Sequence, residues 1–244
     1  PLARVNVYEG AVRAFGQPVS TIYDFKKAKV VVSLDADFMG EMPGSARYAR
    51  DFSSNRRVSG VSPVLNRLYS FESGVSVTGS TADHRYGMKP SEIGLVATAI
   101  YRGITAGPAT PAAGSVSEAV MTAIVKDLVA NKGASVVVAG DHQGPAVHAL
   151  VHAINEALGN VGVTVNHTAP VEAKPVNQMN SLRELVVDLN AGKVDFLLIL
   201  GGNPVYNAPV NLEFGTAITK AKFKAHHALY DDETSALCDW HLPA

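Results

Sequence analysis

The chain has 244 residues, of which 47% are hydrophobic and 18% charged, and 21 basic against 22 acidic side chains leave a net charge of -1. This composition excludes a disordered chain, which combines low apolarity with high net charge. It also argues against a general nucleic-acid binder, which carries a basic excess. The single cysteine, Cys238, excludes an internal disulfide and a four-cysteine zinc or iron–sulfur site within the chain.

Short β-branched runs alternate with helix-period segments, a pattern typical of an α/β fold with mainly parallel sheets. In the first part of the chain, the apolar run Lys29–Leu34 predicts a buried central strand, because helices cover both faces of a parallel sheet. The other elements predicted in this part are a helix over Pro43–Asn55, a strand over Leu68–Phe71 and a helix over Ser91–Arg102.

The segment Gly103–Ser117 has no charged side chain and is rich in glycine, proline and alanine. Such a segment is typical of a linker. The predicted organisation is therefore two Rossmann-like, three-layer α/β units with mainly parallel sheets. The first unit covers residues 1–106, the linker covers 107–114, and the second unit covers 115–244.

In the second predicted unit, Ser115 with Glu118 and Ser181 with Glu184 form capping boxes that predict two helix starts. A further helix is predicted to begin at Pro145, a residue suited to the first helical turn. The strands predicted here are Ser135–Ala139, Val163–Val165, Asp195–Leu200 and Ala225–Tyr230. The run Asp195–Leu200 predicts a buried central strand, in which Leu198→Ala costs about 2–5 kcal/mol.

The loop Gly201-Gly202-Asn203-Pro204 follows the last of the strong strands. Glycines at the carboxyl end of a parallel strand let a phosphate approach the backbone, and a following helix offers free N–H groups to an anion. A tight turn that uses glycine and asparagine for positive φ explains the same residues. The sequence leaves both interpretations open.

Histidines at two places raise the question of a metal site. His148 and His152 are four residues apart on one predicted helix, but they lie beside its apolar stripe and no glutamate separates them, so structural histidines are favoured. Cys238 and His241 lie near the pair His226-His227, and a buried, inert thiol is the favoured state of that cysteine. We predict no metal site.

Two other polar clusters have ordinary structural explanations. Asp83-His84-Arg85 are adjacent, whereas the members of a catalytic triad come from separate segments, so we interpret them as ion-pairing residues. The densest basic region is interpreted as a solvated helix face balanced by neighbouring acids; it contains Arg47, Arg50, Arg56 and Arg57 beside Glu41 and Asp51. We predict no catalytic residue in this chain.

Several stretches in order match one known pattern; they are Tyr23–Leu34, Thr81–Arg85, the turn and helix from Gly140 to Gly162, Gly201–Pro204 and Asp232–Pro243. Together they resemble the molybdopterin oxidoreductases, the dimethyl sulfoxide reductase superfamily. The segments PGSARYARDF, DHRYGMKPSE, PAVHALVHAIN and YDDETSALCDWHLP are most similar to the iron–sulfur/molybdopterin-like large subunit of alternative complex III.

This resemblance implies a cofactor-free structural domain in a bacterial respiratory, quinol-oxidising electron-transfer complex. It implies other subunits of a membrane-associated complex as partners, no nucleic acid, and a location at the periplasmic face of the cytoplasmic membrane without direct insertion of this chain. The family's cofactor is molybdopterin guanine dinucleotide, with iron–sulfur clusters elsewhere in the full protein. Its matched cofactor positions, expected to be vestigial here, are Gly140, Gly201, Gly202, Asn203 and Glu72.

The turn after the first strand departs from that family. It reads Asp35-Ala36-Asp37 where the family has glycine or asparagine. Each carboxylate 4 Å from a pyrophosphate charge costs about 1 kcal/mol in water and more when buried. We therefore predict no cofactor in this chain. The alternatives are the molybdopterin guanine dinucleotide-binding part of an active molybdoenzyme, or an unrelated α/β protein that binds a small molecule.

Overall fold

The computed structural model describes residues 4–58, 65–107 and 111–244. The chain forms two compact units, 4–175 and 176–244. The strands of the first unit are β1 (Ser20–Tyr23), β2 (Val30–Leu34), β3 (Arg67–Glu72), β4 (His84–Gly87), β5 (Ser135–Ala139) and β6 (Val165–Thr168). Its helices are α1 (Val5–Phe15), α2 (Ser45–Ser54), α3 (Val77–Ser80), α4 (Ile93–Ala106), α5 (Glu118–Ala130) and α6 (Pro145–Ala157).

A four-stranded sheet in the order β4-β3-β2-β5 forms the centre of the first unit, and every pair in it is parallel. Alternate residues of β2 enter two different cores. Val30, Val32 and Leu34 pack in a core with α4, α5 and α6, and Val31 packs with residues of α2. The sheet is therefore covered on both faces, as its continuous apolar strands predict. The strands β1 and β6 form a separate antiparallel pair.

The unit boundary differs from the predicted linker at 107–114. The strand β5 follows that segment, yet it pairs with β2 in the register Val30↔Ser135 to Leu34↔Ala139. Ala113 and Val116 form a bridge and are buried in the core of the same unit. The segment therefore belongs to the first unit, and the division falls between residues 175 and 176. Of the predicted linker, residues 108–110 lie outside the described residues.

The second unit has a three-stranded parallel sheet in the order β7-β8-β9. Its strands are β7 (Phe196–Leu200), β8 (Phe223–Ala228) and β9 (Trp240–Pro243), and its helices are α7 (Gln178–Asn190), α8 (Pro204–Asn207) and α9 (Phe214–Ile218). Leu197 and Ile199 of β7 pack against a core formed by α7 and α9. The other face of the sheet is exposed, so the described part of this unit has two layers and the predicted third layer is absent from it.

The prediction of a buried central strand at residues 195–200 is wrong. The strand β7 lies at the edge of its sheet, and its side chains alternate between exposed and half-buried. Leu198 keeps 45% of its surface exposed. By contrast, β2 and β5 are buried at every position, as predicted.

One of the three helix starts predicted in the second part of the chain agrees with the structure. The helix α6 begins at Pro145, as predicted. Both predicted capping boxes are wrong, because the N-cap of α5 is Ser117 and the N-cap of α7 is Asn177, whose side chain accepts a hydrogen bond from the N–H of Asn180. Among the described residues, no helix combines the length and apolarity needed to cross a membrane.

Candidate functional site

The strand order of the first unit creates a crevice where ligands bind in many α/β proteins. From β2 the chain moves to β3 and β4 on one side, and it later returns to β5 on the other side of β2. In such sheets the crevice lies at the carboxyl ends of the two strands where the order reverses. Here those ends are Leu34 and Ala139, and the residues that follow them form the candidate site.

Asp35 occupies the centre of this crevice. Its carboxylate is buried, and it accepts hydrogen bonds from the Ser73 N–H (3.1 Å) and from Nε2 of Gln143 (3.0 Å). Nε2 of His142 lies 2.7 Å from its Oδ2. The backbone of Asp35 has φ 55°, a left-handed conformation that costs a residue other than glycine about 1–3 kcal/mol. The surrounding hydrogen bonds hold this strained residue in place.

The Asp35–His142 pair joins a buried carboxylate to an accessible imidazole, because the His142 side chain is 61% exposed and the Asp35 side chain 7%. A carboxylate accepts only, so the neutral imidazole donates from Nε2 and keeps a lone pair on Nδ1. This arrangement can accept a proton or a hydrogen bond from a ligand at the crevice. In the sequence, these polar residues can be recognised because they follow two of the strongest predicted strands. Only the pairing of β2 with β5 brings them together.

Two further carboxylates at this edge of the sheet form hydrogen bonds and an ion pair within the chain. Asp37 accepts from the N–H and the hydroxyl of Thr78, at 2.9 and 2.7 Å. Glu72 is buried, pairs with Arg85 and accepts from the Ser76 hydroxyl at 2.6 Å. Both carboxylates therefore stabilise the loops around the crevice.

The five cofactor positions implied by the resemblance are divided between the two units: Gly140 and Glu72 in the first, Gly201, Gly202 and Asn203 in the second. A Cβ atom on Gly140 would lie 1.9 Å from the carbonyl oxygen of Asp35, so this glycine permits a close approach of two backbone segments. Gly201 and Gly202 have φ of 65° and 71°, as a tight turn requires. A role for any of the five in binding a cofactor stays a prediction.

The turn at Gly201-Gly202 leads into a hydrogen-bonded cluster formed by residues that follow the carboxyl ends of β7 and β8. The side chain of Asn203 accepts from the Tyr206 N–H (3.3 Å) and from the Thr234 hydroxyl (2.8 Å), and donates to Glu233 (2.6 Å). Its polar atoms are therefore engaged within the unit. Behind this loop, His226 is fully buried.

The exposed face of the second sheet carries large apolar side chains. Phe196 and Phe223 stack with ring centroids 5.6 Å apart. Trp240 is 60% exposed, although it lies in a strand. We call this surface the apolar sheet face; it consists of Phe196, Leu198, Leu200, Phe223, Trp240 and Leu242.

The histidines His148, His152 and His167 lie between α1, α6 and β6. The ring of Phe15 lies 4.8 Å from both His152 and His167. Burial, together with the neighbouring His167 and His148, lowers the pKa of His152 to about 4, and burial also lowers the pKa of those two residues. These histidines pack as neutral rings. In the described ranges no three His, Cys, Asp or Glu side chains are placed to share a metal ion.

The remaining predicted clusters have structural partners. Asp83 pairs with Arg56 and accepts from the Leu68 N–H at 2.7 Å; burial raises its pKa, but these hydrogen bonds outweigh burial and hold the pKa below its usual value. Arg47 and Arg50 both pair with Asp51. Burial raises the pKa of the Cys238 thiol, in keeping with an inert cysteine.

Comparison with known proteins finds similarity at the level of structure alone. No family model and no curated protein matches the chain. The chain is similar to a chain in the structure of the formyltransferase/hydrolase complex (FhcABCD) from Methylorubrum extorquens in complex with methylofuran. The TM-score is 0.54 at 14% identity, and the match covers 100% of this chain and 70% of the other. At this identity the similarity shows the fold.

These comparisons overturn the expected family. The similar structure reported above is a formyltransferase/hydrolase complex and not a molybdopterin oxidoreductase, and no family model or curated protein supports that superfamily. The expected role in a respiratory quinol-oxidising complex, and the molybdoenzyme alternative, are corrected with it. The predicted absence of a cofactor and the predicted periplasmic location are not tested by these findings and stay predictions.

Proposed function

We propose that this protein is a component of a multi-protein assembly and that the apolar sheet face binds an amphipathic helix of a partner polypeptide. The observation that carries the proposal is the exposure of six large apolar side chains on one face of a parallel sheet. Parallel sheets normally have helices on both faces, and contiguous exposed apolar patches of this kind mark interaction sites.

The spacing of the side chains supports a single docked element. Phe196 pairs in register with Phe223, and Leu200 pairs through His227 with Leu242, so the apolar side chains span all three strands. The opposite face is already covered by α7 and α9. A helix laid across the open face would complete the three layers typical of an α/β unit.

Covering this face contributes favourable free energy to the binding of a partner. Full burial of one large apolar side chain contributes about 1.5–3 kcal/mol. Leu198 and Trp240 still expose 45% and 60% of their surfaces, and the other four are comparably exposed. Covering the remaining surface of six such side chains therefore contributes on the order of 5 kcal/mol, before the entropy lost on association is deducted.

The structural comparison supports the same kind of role. The similar chain belongs to a structure described as a complex of several components. Because similarity at 14% identity shows the fold alone, the formyl-transfer activity named for that complex is not assigned to this chain. The proposal concerns assembly, and its partner is defined by chemistry: a helix with apolar residues three or four positions apart.

A site-specific photo-crosslinker tests this proposal in the cells that make the protein. Placed at position 198, 200 or 242, it is expected to give one adduct with a single partner polypeptide. The linked partner residues are expected to recur every three or four positions, as on one face of a helix. The matched control carries the crosslinker at Val187, which is exposed on α7 in the other layer of the unit, and is expected to give no such adduct.

Three outcomes would overturn the proposal: no adduct from any of the three positions, links to a second copy of this chain or within the chain itself, or linked partner residues in an extended, every-second-residue pattern. Leu198→Lys provides a second measurement, because a charge in the centre of the face is expected to abolish the adduct formed from position 242.

A further inference from the structure

Three polar side chains of the second unit form a continuous hydrogen-bonded row. His226 lies on β8, His241 lies beside it on β9, and Ser235 lies in the connection between the two strands. The Ser235 Oγ lies 2.8 Å from Nδ1 of His226 and 3.0 Å from Nδ1 of His241. The other ring nitrogen of His226, Nε2, lies 3.0 Å from the carbonyl oxygen of Gly202.

The carbonyl of Gly202 fixes the direction of these hydrogen bonds. A carbonyl oxygen only accepts, so Nε2 of His226 carries the proton. In a neutral imidazole the other nitrogen then accepts. Nδ1 of His226 therefore accepts from the hydroxyl of Ser235. The other acceptor near that hydroxyl, the carbonyl of Tyr230, is more distant at 3.4 Å.

The same reasoning assigns the tautomer of His241. The single hydroxyl proton of Ser235 is used toward His226, so its Oγ can only accept from His241. Nδ1 of His241 therefore carries a proton, and its Nε2 keeps a lone pair. The side chain of His241 is half-buried, and no hydrogen bond among the described residues occupies that nitrogen.

The charged groups around the row are arranged to receive a proton at its inner end. Oδ1 of Asp232 lies 3.6 Å from Nδ1 of His226 and is held by the N–H groups of Thr234 and Ser235, both at 3.0 Å. Glu233 is bonded to Asn203. On the strands themselves, the charged pair Lys224–Asp239 lies at the amino ends, away from the row, and β7 contributes apolar side chains alone.

We propose that Nε2 of His241 is the proton acceptor of a binding site at the carboxyl edge of the second sheet, for a small molecule that donates an O–H or N–H group. Ser235 and His226 are positioning residues for it. As the ligand's proton binds Nε2 of His241, the Nδ1 proton of His241 moves to Ser235, and the Ser235 proton moves to Nδ1 of His226. The ligand keeps the electron pair of the broken bond, and the added positive charge comes to lie beside Asp232.

Nitrogen-15 NMR of the full chain with labelled histidines tests the inference without a known ligand, because the inference fixes the tautomer of both histidines. At neutral pH, His226 is expected as the Nε2–H tautomer and His241 as the Nδ1–H tautomer. These tautomers leave Nε2 of His241 as the free acceptor that the proposed ligand requires.

Ser235→Ala is expected to interrupt the row. His241 then loses the acceptor of its Nδ1 proton, and its preference for the Nδ1–H tautomer is expected to disappear. The matched control is Thr219→Ala, which removes an exposed hydroxyl bonded to the Thr216 carbonyl in the same unit and is expected to leave both tautomers unchanged. In the unaltered protein, an Nε2–H tautomer at His241 or an Nδ1–H tautomer at His226 would overturn the inference.

Discussion

A Cβ atom on Gly140 would lie 1.9 Å from the carbonyl oxygen of Asp35, which makes these two residues the point of closest approach between the segments that leave β2 and β5. The N–H of Gly140 donates to the carbonyl of Leu34 at 3.0 Å, so the contact directly extends the pairing of the two strands. It also brings Asp35 within hydrogen-bond distance of Nε2 of His142. The crevice of the first unit is therefore closed at its base by a glycine.

The first prediction follows from this contact. Gly140→Ala is expected to destabilise the protein by about 1–3 kcal/mol or more, because the clash is with backbone and forces the two segments apart. Gly74→Ala is the matched control, since a Cβ there has no atom within 4 Å, and it is expected to change stability by less than about 1 kcal/mol. Chemical denaturation measures both, and equal effects would contradict the close approach.

The second prediction concerns the buried carboxylate. Asp35→Asn retains a residue that tolerates positive φ, but it directs an N–H group at the donors His142 and Gln143. A loss of about 1–3 kcal/mol in the free energy of unfolding is expected. Asp188→Asn removes an exposed carboxylate paired with Lys193, and a change below about 1 kcal/mol is expected there. If the two variants were equally stable, Asp35 would not hold the crevice together.

The third prediction is a loss of stability in mild acid, caused by the buried histidines. Burial lowers the pKa of His152 from 6.5 to about 4, so between these pH values the unfolded chain binds a proton at this residue and the folded chain does not. The free energy of unfolding is therefore unaffected by this residue well above pH 6.5, and it falls as the pH decreases toward 4. At pH 5 this residue alone is expected to cost about 2 kcal/mol.

His152→Gln isolates that contribution, because glutamine does not titrate. The variant is expected to lose less stability than the unaltered protein between pH 7.5 and pH 5, by about 2 kcal/mol. Denaturation curves at the two pH values measure the difference. The same loss in both proteins would show that His152 titrates normally in the folded state.

The fourth prediction replaces the one made for residue 198 from the sequence. In the isolated protein, Leu198→Ala is expected to cost less than about 1 kcal/mol, because the side chain is 45% exposed and its removal leaves no closed cavity. Leu189→Ala removes a fully buried side chain of α7 and is expected to cost about 2–5 kcal/mol. A larger loss from the change at Leu198 would place that residue in a core.

Elements whose signals are local are predictable from the amino-acid sequence. The apolar runs at β2 and β5 are strands buried at every position, and α6 begins at Pro145, because φ of proline suits the first turn of a helix. The α/β class with mainly parallel sheets follows from the alternation of such elements. The interpretation of Asp83 as an ion-pairing residue agrees with its salt bridge to Arg56.

What covers each element depends on contacts between segments that are distant along the chain. The runs at β5 and β7 look alike in sequence, but β5 has a core on both sides, whereas β7 has helices on one face alone. Burial depends on partners distant along the chain, so an apolar run cannot reveal it. For the same reason the helix cap predicted at Ser115 is wrong, since the bridge between Ala113 and Val116 holds that segment outside the helix.

Both candidate sites also depend on pairing between distant segments. Asp35 lies beside His142 because β5 adds to the sheet next to β2, whereas the predicted linker before β5 assigns the two residues to separate units. His226 meets His241 because β9 lies parallel to β8 in that register. The residue types could be read from the sequence, but strand order and register set their distances, and these follow from long-range hydrogen bonds and packing that no local pattern encodes.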